Sequence, residues 1–479
     1  MKKIVLFLSL LSTVVVGQNR IVAHRGAWKA DKLPQNSLAA LKRSFELGCV
    51  GTEFDLHRTK DGHIVVHHDA DYFGHKIEEY SYAELNRKKL ANGEDLPKLE
   101  AFLKMAKCFP GTLLFAEIKP SPSGAAASVE LAEAVYQKIK KEKLLKRTVF
   151  ISFSKDAVLH LSKKKVQVQY LNGELSPSAL KEAGIAGADY HYSVFEREEK
   201  WIRDARSVGI KTNVWTVNSP AQLRYFLAIG VDYITTDEPE LALGTAIRAL
   251  KWQEEFQESG LPNSQRWAYD VGGHGWGNNE LQTYTEKDSS TAVVKDGKLV
   301  ITAYKEGESL KSARLVTRGK QEFLYGRMEI RAKLPQGRGT WPAIWMLGTN
   351  IELVGWPRCG EIDIMEHVGY DPGVIVGTVH SEQYNHMIGT QITGQMEVQD
   401  FSTNFHTYAV EWSAEKIDFY VDEKCYVSIP KKGLKEWPFD APHYLLLNLA
   451  IGGNWGGKMG VAEDIFPARF EIDYVRWYE

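Results

Sequence analysis

Glu361, Asp363 and Glu366 fall within six residues of the stretch GWPRCGEIDIMEHVG, Gly355 to Gly369. Paired carboxylates are the working parts of a retaining glycosidase: one attacks the anomeric carbon, and the other protonates the leaving oxygen and later activates water. In a regular strand Glu361 and Asp363 share a face, while Glu366, five positions after Glu361, points away. One β-bulge repairs this, because an extra residue shifts every later side chain by one place. Met365 is the expected extra residue, with Ile362 and Ile364 turned into the core. The glutamates then act as positions i and i+4, with Cα atoms about 13 Å apart at ~3.3 Å per residue. Two Glu side chains close much of that gap, toward the roughly 5–5.5 Å that a covalent glycosyl intermediate needs. Asp363, between them, is placed to share a proton or a hydrogen bond with the nucleophile, and close like charges hold one carboxyl protonated near neutrality. Three acids alone also fit a solvated edge strand. The aromatic neighbours decide against it: Trp341 and Trp345 in GTWPAIWML, and Trp356 just before the acids, offer flat rings for pyranose faces.

A second reactive set lies in the first half, in AHRG, EFD, VVHHD and FAEIKP. Glu53, Asp55 and Glu117 are oxygen ligands suited to a hard divalent cation such as Ca²⁺ or Mg²⁺. Arg25 and Lys119 are cations able to clamp a phosphate. His24 and His68 suit a base and an acid on opposite sides of the phosphorus. Either histidine alone reads more readily as structural; the company of three acids and two cations makes both catalytic candidates.

The elements needed to position these groups differ between the halves. Eight apolar runs alternate with amphipathic helical stretches up to about Glu240, which predicts an α/β barrel of parallel strands buried on both faces. His24, Glu53, Asp55, Glu117, Lys119, Ser152, Trp215 and Asp237 fall at the C-terminal strand ends, the rim where such barrels carry chemistry. Beyond about Trp252 helical periodicity disappears, and alternating segments such as GRMEIRAKL, HTYAVEW and KIDFYVD predict an all-β sandwich. The join, ELALGTAIRALKW, has no Pro/Ser/Gly tether, so the two domains are expected to sit close together.

The 479 residues exceed what one core usually serves, which favours two domains. The 59 basic and 61 acidic residues nearly cancel and form no basic run, which speaks against nucleic-acid binding. MKKIVLFLSLLSTVVVGQNR has two lysines, an apolar run from Ile4 to Val16, then small and polar residues. Residues 1–17 read as a signal peptide cut near Gly17, with an N-terminal anchor as the alternative, so a secreted or periplasmic location is expected. No later stretch is long and apolar enough to span a bilayer. The four cysteines are far apart and lack C-x-x-C spacing, which leaves unpaired thiols or one bridge.

The second half resembles glycoside hydrolase family 16, in its bacterial laminarinase branch with the bulged E-x-D-x-x-E strand. The matching segments are YDVGGHGWGNNELQTYT, KSARLVTRGK, GRMEIRAKLP, WPRCGEIDIMEHVG, LLLNLAIGGNWGG and IDYVRWYE. The resemblance implies a jelly roll over 250–479 and a double displacement, with Glu361 as nucleophile, Glu366 as acid/base and Asp363 as helper. It also implies cleft positions at Trp341, Trp345, Trp356, Asn278, Arg314 and His380, with His380 open between substrate contact and a structural role. A structural Ca²⁺ on the jelly roll is a further implication, with Asp473 open between ligand and surface carboxylate. The first half resembles the glycerophosphodiester phosphodiesterase family of TIM barrels over 20–243, through H-R-G, E-F-D, H-D, E-I-K-P, NVWTVN and ITTDEP. That implies a metal on Glu53, Asp55 and Glu117, catalytic His24 and His68, and substrate contacts from Arg25, Lys119 and Trp215. Two departures stand out. PQNS carries Gln35 where the family has Glu, and the segment between His68 and LPKLEAF is short, which predicts a more open pocket.

Together these readings predict an exported bifunctional hydrolase, with a phosphodiesterase fused to an endo-β-1,3(4)-glucanase and a phosphate-decorated β-glucan as a shared substrate. A non-catalytic phosphate-binding barrel, or two independent activities fused for co-export, remain alternatives. The bulged strand favours β-1,3 or mixed-linkage glucan over sulfated galactans, since the cleft residues include no added basic cluster for sulfate.

Overall fold

A computed structural model describes residues 19–245 and 247–479, so the signal-peptide segment lies outside the described residues. The chain divides into two compact units, with the division between Arg248 and Ala249.

In the first unit eight parallel strands close on themselves. They are β1 (Ile21–Ala23), β2 (Gly51–Arg58), β3 (Leu113–Ile118), β4 (Thr148–Ser152), β5 (Gln167–Tyr170), β6 (Gly187–His191), β7 (Lys211–Trp215) and β8 (Tyr233–Thr236). Each pairs with the next, and β1 pairs with both β2 and β8, an arrangement consistent with a TIM barrel. The apolar runs form these strands because both faces are covered; β4, TVFIS, is buried throughout. Serines start the helices between them: Ser37, Ser154, Ser176 and Ser219 each accept a backbone N–H of the first turn. Pro177 and Pro220 follow two of these caps, where a missing N–H costs nothing. The segment after His68, short as read from sequence, folds so that its Tyr72, Ile77, Leu85 and Leu96 cluster on Val65, which precedes it.

The second unit is β-rich and jelly-roll-like. One antiparallel sheet contains β9 (Arg314–Val316), β10 (Thr340–Gly348), β11 (Glu361–Glu366), β12 (Val374–His380), β13 (Ile392–Glu397) and β14 (His443–Ile451). Its order is Ala268–Tyr269, β9, β14, β10, β11, β12, β13. A ten-stranded sheet supplies the other layer, and alternation is visible in Lys298–Glu306, whose Leu299, Ile301 and Ala303 are buried. One continuous core joins the layers, with Ile344, Ile362, Ile364 and Met365 from the first and Ile330, Tyr408, Phe419 and Phe470 from the second.

All four cysteines are unpaired thiols. Among the described residues no helix is long and apolar enough to cross a membrane.

Candidate active sites

The bulge in β11 exists, with one change from expectation. Trp345 pairs with Asp363 and Ile344 with Met365, so Ile364, rather than Met365, is the residue passed over. Against β12 the register shifts between Asp363 and Glu366. Ile364 and Met365 are consecutive and both fully buried, and both join the core between the sheets. Gly377 lies opposite the bulge on β12, and a Cβ there would meet Tyr426 Oη at 2.4 Å and Phe419 Cδ1 at 2.9 Å. The bulged ribbon therefore needs glycine at that point.

Past the bulge, Glu366 returns to the face of Glu361 and Asp363, and each glutamate receives an indole. Trp356 Nε1 donates to Glu361 Oε2 at 2.7 Å, and Trp341 Nε1 donates to Glu366 Oε1 at 2.9 Å. His380 Nε2 lies 3.2 Å from Asp363 Oδ2 and 3.9 Å from Glu361 Oε1, so this buried histidine braces the acids. Burial pushes the Glu361 carboxyl up to about 8, helped by the Asp363 charge and opposed by His380 and Trp356. Burial likewise lifts Glu366 to about 7, against the Trp341 N–H. Asp363 is raised too, by burial and by the charge of Glu366. Acids raised in this way share protons near neutrality, so that one carboxyl can act as an acid while another is ionised.

Two residues expected at the sugar, Arg314 and Trp345, are held against each other by the protein. Arg314 is buried between Trp276 and Trp345, 4.7 and 4.6 Å from the ring centres, with Nε 3.1 Å from Asp270 Oδ2. Its guanidinium covers a face of Trp345, whose Nε1 donates to Asn448 Oδ1 at 2.7 Å. Stacking and ion pairing thus fix the positions of Arg314 and Trp345. Asp473 pairs with Arg331 on the other sheet. Asn278 stays half-buried, with its carbonyl accepting from Asn454 N at 2.7 Å.

Sequence reading missed Glu280, Trp455 and His386. Glu280 accepts from Gln282 Nε2 at 2.6 Å and Tyr284 Oη at 3.1 Å, and its charge raises Glu366. Trp455 lies edge-on to Trp341 at 5.6 Å, and His386 lies 5.1 Å from Trp356. Glu280 in NNELQ and Trp455 in GGNWGG lie within segments that already matched the family, whereas His386 comes from a loop that meets the site in space.

In the barrel, Glu53, Asp55 and Glu117 each offer an oxygen within 4.8 Å of the others. All are buried, and Glu53 Oε1 has no hydrogen-bond partner. An orphaned carboxylate oxygen among three acids fits a hard cation. Lys119 Nζ lies 3.1 Å from Asp55 Oδ1 and 2.8 Å from Glu117 Oε1, while Arg25 N donates to Glu53 Oε2 at 2.8 Å. Burial would raise Asp55, but Lys119, His68 and Arg25 hold it at about 2. Burial dominates at Glu117, pushed up to about 7, and at Glu53, which also rises.

Both barrel histidines are aimed by an aspartate. His24 Nδ1 is 2.7 Å from Asp237 Oδ1, and Asn218 Nδ2 donates to Asp237 Oδ2 at 2.8 Å. His68 Nδ1 is 2.7 Å from Asp69 Oδ1. With Nδ1 taken, Nε2 of each ring is the atom left for chemistry. Gly26 makes the HRG turn possible: at φ +81° its Cβ would lie 2.6 Å from the Ala40 carbonyl carbon. Gln35 Oε1 accepts from Arg25 Nη1 at 2.7 Å, so the missing negative charge falls beside the arginine. Trp215 is half-buried at the end of β7, with Nε1 donating to the Asp189 carbonyl at 2.9 Å.

Comparisons with known proteins divide at the same seam. Residues 24–241 match the model of the glycerophosphoryl diester phosphodiesterase family, and residues 278–476 match that of glycosyl hydrolases family 16. A beta-glucanase of Rhodothermus marinus is 52% identical over 242 residues, 48% of this chain and 84% of that protein. A glucan endo-1,3-beta-glucosidase of Cryptopygus antarcticus is 37% identical over 255 residues, 47% of this chain and 90% of that protein. The solved laminarinase from Rhodothermus marinus aligns with a TM-score of 0.47 and 50% identity, over 48% of this chain and 97% of that one. Through its C-terminal unit the chain belongs to glycosyl hydrolases family 16.

Proposed function

We propose that the chain is an exported bifunctional hydrolase, a retaining endo-β-1,3(4)-glucanase on a jelly roll joined to a metal-dependent phosphodiesterase on a TIM barrel. The observation that carries the glucanase reading is the β11 bulge, which turns Glu361, Asp363 and Glu366 to one face beside two indole donors. Glu361 attacks the anomeric carbon, while Glu366 gives its proton to the leaving glycosidic oxygen and then takes one from water. Trp356 and His380 favour the ionised form of Glu361, which the attack requires. Asp363 shares the nucleophile's proton, and Trp341 holds the acid in line. Relatives named for β-glucan and endo-1,3-β-glucan cleavage support the substrate class.

In the barrel, Glu53, Asp55 and Glu117 would hold Ca²⁺ or Mg²⁺. When bound, such an ion supplies positive charge to the phosphoryl oxygens. Arg25 and Lys119 bind the phosphate anion, and His24 and His68 present Nε2 to the attacking and leaving oxygens. Both sites serve a phosphate-decorated β-glucan in this reading. Release of glycerol phosphate from such a glucan by the full chain, with Glu117→Ala and Glu361→Ala as controls, tests the coupling. Cleavage of free glycerophosphodiesters with none from the polymer would leave two independent activities. A product profile on laminarin, lichenan and agarose tests the linkage, and release from agarose alone would overturn it.

A further inference from the structure

The rim of the barrel is chemically divided. The ends of β1, β2 and β3 carry His24, Arg25, Glu53, Asp55, Glu117 and Lys119, whereas the ends of β4, β6 and β7 carry aromatic rings. Phe153 follows β4, His191 closes β6 with Tyr192 next to it, and Trp215 closes β7, paired in register with His191. Trp215 meets His191 at 5.2 Å and Phe153 at 5.7 Å, both edge-on, and His191 lies 4.1 Å from Tyr192. All four are half-buried, so each is ordered by neighbours yet keeps ring surface in solvent. The wall is held in place by hydrogen bonds. Trp215 Nε1 donates to the Asp189 carbonyl, His191 Nδ1 pairs with Ser193 Oγ at 2.8 Å, and the exposed Asn172 donates to the Phe153 carbonyl at 3.0 Å.

Acid, base, phosphate clamp and cation site are all complete without these rings, so their exposed faces suit the alcohol part of the substrate. Three occupants differ in what they ask of such a surface. Glycerol has too little face to cover two rings. An acyl chain would lie across an imidazole, a phenol hydroxyl, the Asn172 amide and the Ser193 hydroxyl, stripping water from polar groups it cannot pair. A pyranose offers both halves of the match, a C–H face for the rings and a rim of hydroxyls for the polar tips.

Resting on the phosphodiesterase reading above, we propose that one esterified alcohol is a sugar whose pyranose face lies on the wall of Phe153, His191, Tyr192 and Trp215. In the reaction the P–O bond to the sugar oxygen breaks and a P–O bond to a water oxygen forms. One water proton ends on the freed sugar hydroxyl and the other goes to solvent, with no redox change.

The test uses the full chain with added Mg²⁺ or Ca²⁺ and three diesters of glycerol phosphate, whose second alcohol is glucose, glycerol or a lysolipid's acylglycerol. The glucose diester is expected to show a kcat/KM about tenfold above the glycerol diester, the scale of one well-filled pocket contact. Phe153→Ala and, separately, Tyr192→Ala should collapse that ratio toward one through KM for the glucose diester, and Tyr192→Phe should retain most of it. A wild-type preference for the glycerol or lysolipid diester, or a ratio that neither alanine variant moves, overturns the sugar wall and leaves the phosphodiesterase standing. Failure of the wild type on all three diesters, with Glu117→Ala no different, removes the phosphodiesterase reading and the proposal with it.

Discussion

Each unit gathers three carboxylates, and in each two of them stand at i and i+2 on one strand, yet the clusters hold their charge differently. Closeness does not distinguish them: Glu53, Asp55 and Glu117 converge within 4.8 Å, and so do ligand atoms of Glu361, Asp363 and His380. Their companions do. Lys119 and Arg25 reach into the barrel trio and hold Asp55 ionised, whereas among the described residues the sandwich trio meets a histidine and two indole N–H groups. All three sandwich acids are raised into the range where protons are exchanged near neutrality, which suits proton transfer. In the barrel Glu53 and Glu117 are raised as well, but Asp55 stays ionised between Lys119 and Arg25, and an ionised acid beside the unpaired Glu53 oxygen suits a cation. Similar spacings on a strand thus lead to different chemistry through the residues packed against them.

The sharpest break of this comparison is to remove a proton carrier. Glu361→Gln or Glu366→Gln should lower laminarin hydrolysis by at least about 10³-fold, measured as reducing ends, while diester turnover by the barrel persists. Residual glucanase near wild-type level in Glu366→Gln would sink the assignment. Next in size is removal of the cation. A chelator should cut diester turnover by about 10²-fold or more and leave laminarin hydrolysis in place, with titration calorimetry showing Mg²⁺ or Ca²⁺ binding lost in Glu117→Ala. Equal loss of both activities would erase the distinction between the two sites.

The smallest effect concerns stability. A carboxyl whose folded pKa lies near 8, against an ordinary 4.5, costs the fold nothing below pH 4.5, and its cost grows until pH passes 8. Glu361→Gln removes that cost. The variant's sandwich unit should therefore match the wild type near pH 4.5 and exceed it by about 2 kcal/mol or more near pH 8.5. Calorimetric melting at the two pH values reads this out, and a pH-independent difference would mean that Glu361 is not held protonated.

Much of the site was legible because strand periodicity is rigid. Glu361 and Asp363 on one face, and Glu366 brought back by one extra residue, follow from counting. Which residue is passed over did not follow, since Ile364 and Met365 are both apolar and pairing with Ile344 decides between them. Arg314 enters the sequence reading through the family resemblance alone, and Trp345 also through the aromatic stretch GTWPAIWML. Their stacking on each other depends on β9 and β10 flanking β14, which no local pattern encodes. His24 and His68 were visible in their motifs, and so was Asp69 beside His68. Asp237, 213 residues from His24, was visible only as a rim residue, and its bond to His24 requires the closure of β8 onto β1.

Composition and spacing determined the alternating α/β half, the β-rich half, and the acids, bases and rings available to each, because hydrophobic periodicity and residue chemistry are local properties. Tertiary structure alone decided which charges meet. Whether a buried carboxyl keeps its proton depends on cations, dipoles and lost water within a few ångströms, and those neighbours arrive from strands distant along the chain.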